Sequence, residues 1–145
     1  MVEVHLYITT DSVAARATDK WFGYVLECKT HSGVRTREGF GEINGTYNKT
    51  VLTAMVHAIK RINQSCEVHI HTENEYIIRM LENNLDQWAM RDFKTTKKKP
   101  VANEDEWREI WSLSQKQLIV TEQGKHTYSK WLLTEMEKRK EKENV

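Results

Sequence analysis

The chain has 145 residues, with 22 Lys and Arg against 21 Asp and Glu and a formal net charge of +1. That length suits one domain with a substantial core, and the balanced charge excludes a global field drawing the protein to a polyanion or a membrane, so any such affinity must come from local patches. Two cysteines, Cys28 and Cys66, have neither metal-site spacing nor a disulfide-rich context and read as free thiols. No charged leader precedes an apolar segment, and no apolar run approaches about 18 residues, so the expectation is a soluble, cytoplasmic protein with no membrane partner.

In chain order, Val2 to Thr10 alternates, with Val4, Leu6 and Ile8 on one face and His5, Tyr7 and Thr9 on the other, and predicts a strand ended by Asp11-Ser12. Trp21 to Lys29 is aromatic and β-branched and predicts a second strand. His31-Ser32-Gly33 is a hairpin break, and Val34 to Ile43 predicts a third strand in which Gly39 and Gly41 permit close approach or a bulge. After a turn at Asn44-Gly45-Thr46, Val51, Leu52, Met55, Val56, Ile59 and Ile62 recur at helical spacing over residues 48–62. Glu67 to His71 predicts a short strand. Thr72 can cap the next helix, whose buried stripe is Ile77, Ile78, Leu81 and Leu85. Glu104 to Ser114 predicts a helix, Gln117 to Thr121 a fifth strand, and Tyr128 to Lys142 a last helix packed through Trp131, Leu132 and Met136. One domain over residues 1–142 and a charged tail over 143–145 are expected. The order of three strands, helix, strand, helices, strand and helix indicates an α/β fold: a five-stranded mixed sheet with helices on both faces.

Between Trp88 and Trp107 the chain carries Lys94, Lys97, Lys98 and Lys99, then Pro100, its only proline. Lysines this close repel one another and are best tolerated in solvent or against a polyanion. They read either as a solvated charged loop or, with tryptophans anchoring both ends, as a basic protrusion on a fixed base. Lys98-Lys99-Pro100-Val101-x-Asn103-x-Asp105-x-Trp107, preceded by Trp88 and Phe93-Lys94-Thr95, resembles the basic handle of type 1 ribonuclease H. With the element order, the resemblance extends over nearly the whole chain. It implies the ribonuclease H fold, a duplex nucleic-acid partner (an RNA–DNA hybrid or double-stranded RNA), a monomeric state, and two-metal hydrolysis of RNA by Mg or Mn held on carboxylates.

That resemblance implies acidic residues at four places. At the end of the first strand, Thr10-Asp11-Ser12 resembles the family's Thr-Asp-Gly-Ser without its glycine, making Asp11 the candidate first carboxylate. Counting back from Gly23-Tyr24-Val25-Leu26 puts Thr10 there instead; the better apolar register favours Asp11. Thr72-Glu73-Asn74-Glu75-Tyr76-Ile77 resembles Ser/Thr-Asp-Ser-x-Tyr-Val, so Glu73 stands for an aspartate, while Glu75 reads as an exposed helix residue. Thr46-Tyr47-Asn48-Lys49-Thr50-Val51-Leu52 resembles the first-helix motif but puts Val51, which has no ligand atom, at the glutamate position. Near the last helix, His126 reads as the family's loop histidine or as a surface histidine, and the expected aspartate falls among Leu133, Thr134 and Glu135, of which Glu135 carries a carboxylate. The glycine-rich turn is replaced by Val13-Ala14-Ala15-Arg16-Ala17-Thr18.

Asp11 and Glu73 are thus the expected catalytic and metal-binding remnants. The expected nucleic-acid contacts are Thr46, Asn48, Lys49, Lys94, Lys97, Lys98 and Lys99. The metal set is incomplete, so no cofactor is certain, and Mg or Mn is expected only if the protein is active. The favoured expectation is a non-cleaving, nucleic-acid-binding relative of ribonuclease H. An active enzyme with a rearranged site is the alternative, and a protein-interaction module that retains only the fold is a third reading.

Overall fold

The computed structural model describes residues 1–143. Strands β1 (Val2–Thr10), β2 (Thr18–Thr30), β3 (Gly33–Gly45), β4 (Cys66–Thr72) and β5 (Leu118–Gln123) form one sheet in the order β3-β2-β1-β4-β5. β1, β2 and β3 pair antiparallel in sequence, whereas β4 pairs parallel with both β1 and β5. The helices are α1 (Tyr47–Ile59), α2 (Glu75–Asn83), α3 (Leu85–Met90), α4 (Glu104–Ser114) and α5 (Ser129–Glu143). This is the mixed α/β sheet that the hydrophobic patterning predicts. The part of the expected tail beyond Glu143 lies outside the described residues.

β1 is the central strand, and period-two alternation gives it two different neighbours. Leu6 and Ile8 pack into the main core with Leu52, Met55 and Ile59 of α1. Tyr7 packs in a smaller core with Val25, Leu132 and Met136, the last two from α5. The main core extends through α4, where Trp107 is fully buried and meets Trp88 edge-on at 5.3 Å. No helix among the described residues is long and apolar enough to cross a membrane.

The β2–β3 hairpin shows why its glycines are needed. A Cβ built on Gly41 would lie 2.5 Å from the end of the Phe22 ring, and one on Gly39 would collide with Tyr24. These rings of β2 lie across the backbone of β3, a close approach that only glycine allows.

Three local expectations are corrected. Asn74, not Thr72, caps α2: its side chain accepts from the Ile77 N–H at 2.9 Å, while the Thr72 hydroxyl accepts from the Asn74 N–H at 3.1 Å. The stripe Ile77, Ile78, Leu81 and Leu85 does not lie on one helix, because the chain leaves helical geometry at Asn84 (φ −123°) and α3 starts at Leu85. Trp131 is not core. Leu132 and Met136, four residues apart, fill the buried stripe of α5, which leaves Trp131 on an outer face, 43% exposed.

Replacing Gly41 by Ala should destabilise the fold by about 1–3 kcal/mol, because Phe22 must leave its place or the hairpin must shift. A lowered urea midpoint checks this.

Candidate nucleic-acid interface and remnant metal site

At the C-terminal ends of β1 and β4, a shallow hollow is lined by Ile8, Thr9, Thr10, Val13, Tyr47, Val51, Thr72 and Glu73. Alternation places Thr10 on the α1 face with Leu6 and Ile8. Val51, 1% exposed on α1, closes the floor. Glu73 is the one carboxylate in the lining. The space is about 20 Å³, room for about one water. Burial, and then the Glu73 charge, push the Tyr47 phenol above its ordinary value, so this hydroxyl stays neutral beside the carboxylate.

Asp11 does not join Glu73 here. One residue beyond Thr10, it turns to the opposite face of the sheet. Its carboxylate accepts from the Trp21 N–H at 2.8 Å and pairs with Lys140 of α5 at 2.5 Å. Thr10, the alternative in the sequence count, occupies the hollow. Glu135 is partly buried on α5 and pairs with Lys138 at 3.3 Å. Asp11, Glu73 and Glu135 do not converge: among the described residues, one group of three metal-type donors lies within 4.8 Å, and it is elsewhere on the sheet. Two divalent ions about 3.5–4 Å apart require several carboxylate oxygens around them. One glutamate against Thr10, Val51 and Val13, in a space of about 20 Å³, does not meet that need, so the donors present do not fit a two-metal centre.

The turn after β1 is held in place by an unusual device. Lys20 is completely buried, and its Nζ donates to Arg16 O (2.9 Å), Thr18 Oγ1 (2.6 Å) and Gly45 O (2.7 Å). All three ammonium protons thus have acceptors, as burial of a charge demands. The Tyr47 N–H donates to Ala14 O at 3.2 Å and ties the same turn to the start of α1. The sequence reading missed Lys20, and it placed Tyr47 in the first-helix motif without its tie to this turn. A lysine at an inward position of an alternating strand was the available signal for Lys20.

His126 is half-buried rather than a surface group. Its Nε2 lies 3.0 Å from Thr9 Oγ1 and 2.9 Å from Ile8 O. Burial lowers its pKa, opposed by the Ile8 carbonyl and the Glu73 charge.

The expected nucleic-acid contacts fall into two groups. Thr46 caps α1, its hydroxyl accepting from the Lys49 N–H at 3.1 Å, and Asn48 Oδ1 accepts from Asn74 Nδ2 at 2.9 Å. Lys49 is exposed in the first turn of α1, which has no acidic residue, and lies 3.7 Å from Glu106. The lysine-bearing turn is separate and well anchored. Phe93 and Val101 are buried and joined by a 3.0 Å backbone hydrogen bond, and Lys94 bridges Pro100. The Thr95 N–H donates to Lys99 O (2.7 Å) and the Lys98 N–H to Thr95 O (2.9 Å), closing a turn with Lys98 at φ +63°. Lys94 lies 3.7 Å from Asp92, whereas Lys97, Lys98 and Lys99 are exposed and form no ion pair among the described residues.

The His126 shift sets a pH dependence. A histidine whose folded pKa lies below its unfolded value of about 6.5 favours the fold while neutral. Its contribution is complete above about pH 6.5 and is lost as pH falls through the lowered folded value. His126→Gln should therefore flatten part of the acid-side decline in unfolding free energy, measured by urea denaturation from about pH 7 to 4.5.

Comparisons with known proteins agree with this architecture. The family model described as RNase H matches residues 3–125. The Ribonuclease H of Nitrosospira multiformis is 35% identical over 99 residues, covering 68% of this chain and 61% of that protein. That of Alkalilimnicola ehrlichii is 35% identical over 95 residues, covering 66% and 63%. The chain thus spans about three fifths of the length of these curated relatives. Among solved structures, LC9-RNase H1, described as a type 1 RNase H with the type 2 active-site motif, superposes with a TM-score of 0.71 at 16% identity, over 91% of this chain and 69% of that one. The solution structure of the PFV RNase H domain gives 0.68 at 18% identity, over 94% and 92%. Sheet order, lysine turn and family match lead to one conclusion: this chain belongs to the RNase H family.

Proposed function

We propose that this protein binds duplex nucleic acid, an RNA–DNA hybrid or double-stranded RNA, without hydrolysing it. The observation that carries this reading is the hollow at the ends of β1 and β4, where Thr10 and Val51 leave Glu73 as the only carboxylate. In a two-metal hydrolase the carboxylates fix the ions that activate water and stabilise the leaving oxygen. With those donors replaced, the surface that holds a duplex can persist without the chemistry.

Binding is supported by charge. Lys97, Lys98 and Lys99 extend from a base fixed by Phe93 and Val101, and no internal carboxylate neutralises them among the described residues. Lys49 and the N-terminus of α1 add a second positive point. Each phosphate neutralised releases counterions, so binding should weaken as salt rises. Contacts of this kind position a duplex and carry no base specificity.

A second reading, metal-dependent cleavage, is favoured by the relatives that carry the name Ribonuclease H. Titration of an end-labelled RNA–DNA hybrid in Mg²⁺ and in Mn²⁺ decides between them, with parallel native and denaturing gels. A retarded complex with intact RNA is the expected outcome. Cleavage that Glu73→Gln abolishes would overturn it.

The triple substitution Lys97→Ala, Lys98→Ala, Lys99→Ala should weaken binding uniformly across sequences. It should also reduce the slope of log K against log salt by about 2–3 units, at about 0.9 for each phosphate that is no longer neutralised. Fluorescence anisotropy at several salt concentrations checks both effects.

A further inference from the structure

The sheet face covered in part by α5 carries a second cluster of donors, at the opposite end of the strands from the hollow. β1 and β4 run parallel with His5 beside His69 and Glu3 beside Glu67, so alternation turns all four side chains to the same face. His5 Nε2 lies 2.8 Å from Glu3 Oε1, and His69 Nε2 lies 3.5 Å from the same oxygen. Glu67 Oε2 lies 3.3 Å from His69 Nε2. The Glu3, His5 and His69 donors all fall within 4.8 Å of one another.

We propose that Glu3, His5 and His69, with Glu67 beside them, form a binding site for a divalent transition metal of the zinc class.

Three observations support it. First, His69 Nε2 is buried and makes no hydrogen bond, although two carboxylate oxygens stand within 3.5 Å. A buried polar atom left without a partner is costly, and an ion between it and the carboxylates would satisfy it. Second, the spacing suits a small ion. Tetrahedral bonds of about 2.0–2.1 Å put neighbouring donors about 3.3 Å apart; the three imidazole–carboxylate pairs here span 2.8 to 3.5 Å, and the two imidazole donors lie within 4.8 Å of each other. Third, the site has an outer support. His5 Nδ1 lies 2.8 Å from His71 Nε2, and the His5 ring stacks on His69 at 4.6 Å. A ligating histidine is usually oriented by a hydrogen bond through its other ring nitrogen. Without an ion, His5 Nε2 is in hydrogen-bond contact with Glu3; with Nδ1–H donating to His71, Nε2 instead offers its lone pair to an ion held against Glu3.

Two imidazoles with carboxylates suit Zn²⁺, Co²⁺, Ni²⁺ or Cu²⁺ rather than Mg²⁺, which takes oxygen donors. The site is distinct from the hollow that holds Glu73: Glu73 lies four positions after His69, just past the end of β4, about 13 Å along the chain. The half-exposed Glu3 gives an ion access from solvent. A bound ion would clamp the first residues of β1 to β4, joining segments 64 residues apart in sequence.

The test is a titration of the tag-free chain with Co²⁺, followed by its visible absorption, and then displacement by Zn²⁺. A saturating signal at one equivalent, displaced by Zn²⁺ and not by Mg²⁺, is expected. It should be lost in His5→Gln/His69→Gln and unchanged in His31→Gln, a solvent-exposed histidine on the β2–β3 turn. His71→Phe should weaken affinity about 10–100-fold, as loss of an outer hydrogen bond to a ligand does. Glu3→Gln, which leaves both rings in place, provides a variant that does not disturb the histidine stack. No saturable binding, or binding undiminished in both Glu3→Gln and the double histidine variant, would overturn the proposal.

Discussion

Burial of β1 on both faces is the constraint from which the remaining arrangement follows. As the central strand it is covered by α1 on one side and by α5 on the other. Alternation then sorts its residues without exception: Leu6, Ile8 and Thr10 turn towards α1, and His5, Tyr7, Thr9 and Asp11 turn towards α5. A one-residue change of register would exchange these sets and turn every apolar side chain to the wrong layer. The pairing Tyr7 with Val25 and Ile8 with Tyr24 holds the register.

That constraint explains why the fold was legible in the sequence and the site only in part. Alternation in β1 and the 3.6-residue period of α1 each extend over many residues, so a local ambiguity averages out. A site residue has no such redundancy. Thr10 and Asp11 are adjacent and both follow an apolar run; counting back from the second strand points to Thr10, and the apolar register to the aspartate. The deciding fact is three-dimensional: Lys140, 129 positions away, takes the Asp11 carboxylate onto the α5 face. Val51 was readable at once, because the residues on both sides of it fix the α1 register.

Other departures share a physical origin in packing that a sequence window cannot contain. A stripe of apolar residues over 77–85 satisfies one helical period, yet Asn84 breaks the helix. Trp131 is among the largest apolar side chains on α5, but Leu132 and Met136 already fill the space over Tyr7 and Val25. Glu3 and His5 on β1, and Glu67, His69 and His71 on β4, recur every second residue, a polar alternation that on one strand signifies only a solvent-facing edge. Their meaning depends on a parallel partner brought in by the crossover through α1, which local periodicity does not reveal.

The buried Lys20 also bears on how a turn without glycine keeps its shape. A turn rich in glycine can be shaped by its own backbone; one made of Val13 to Thr18 needs an external tie, and the ammonium supplies it through three oxygens. The hollow and this turn lie side by side, with apolar side chains in the one and a buried, fully partnered lysine beneath the other.

The lysine turn carries a thermodynamic consequence of its rigid base. Because Phe93 and Val101 are buried in the folded chain, three like charges are already held together before any partner arrives. Being consecutive, they repel one another in an expanded chain as well; the native state adds a fixed arrangement of the three charges. A polyanion that binds this fixed arrangement more tightly than the expanded chain favours the native state, so folding and polyanion binding form a single linked equilibrium in this molecule.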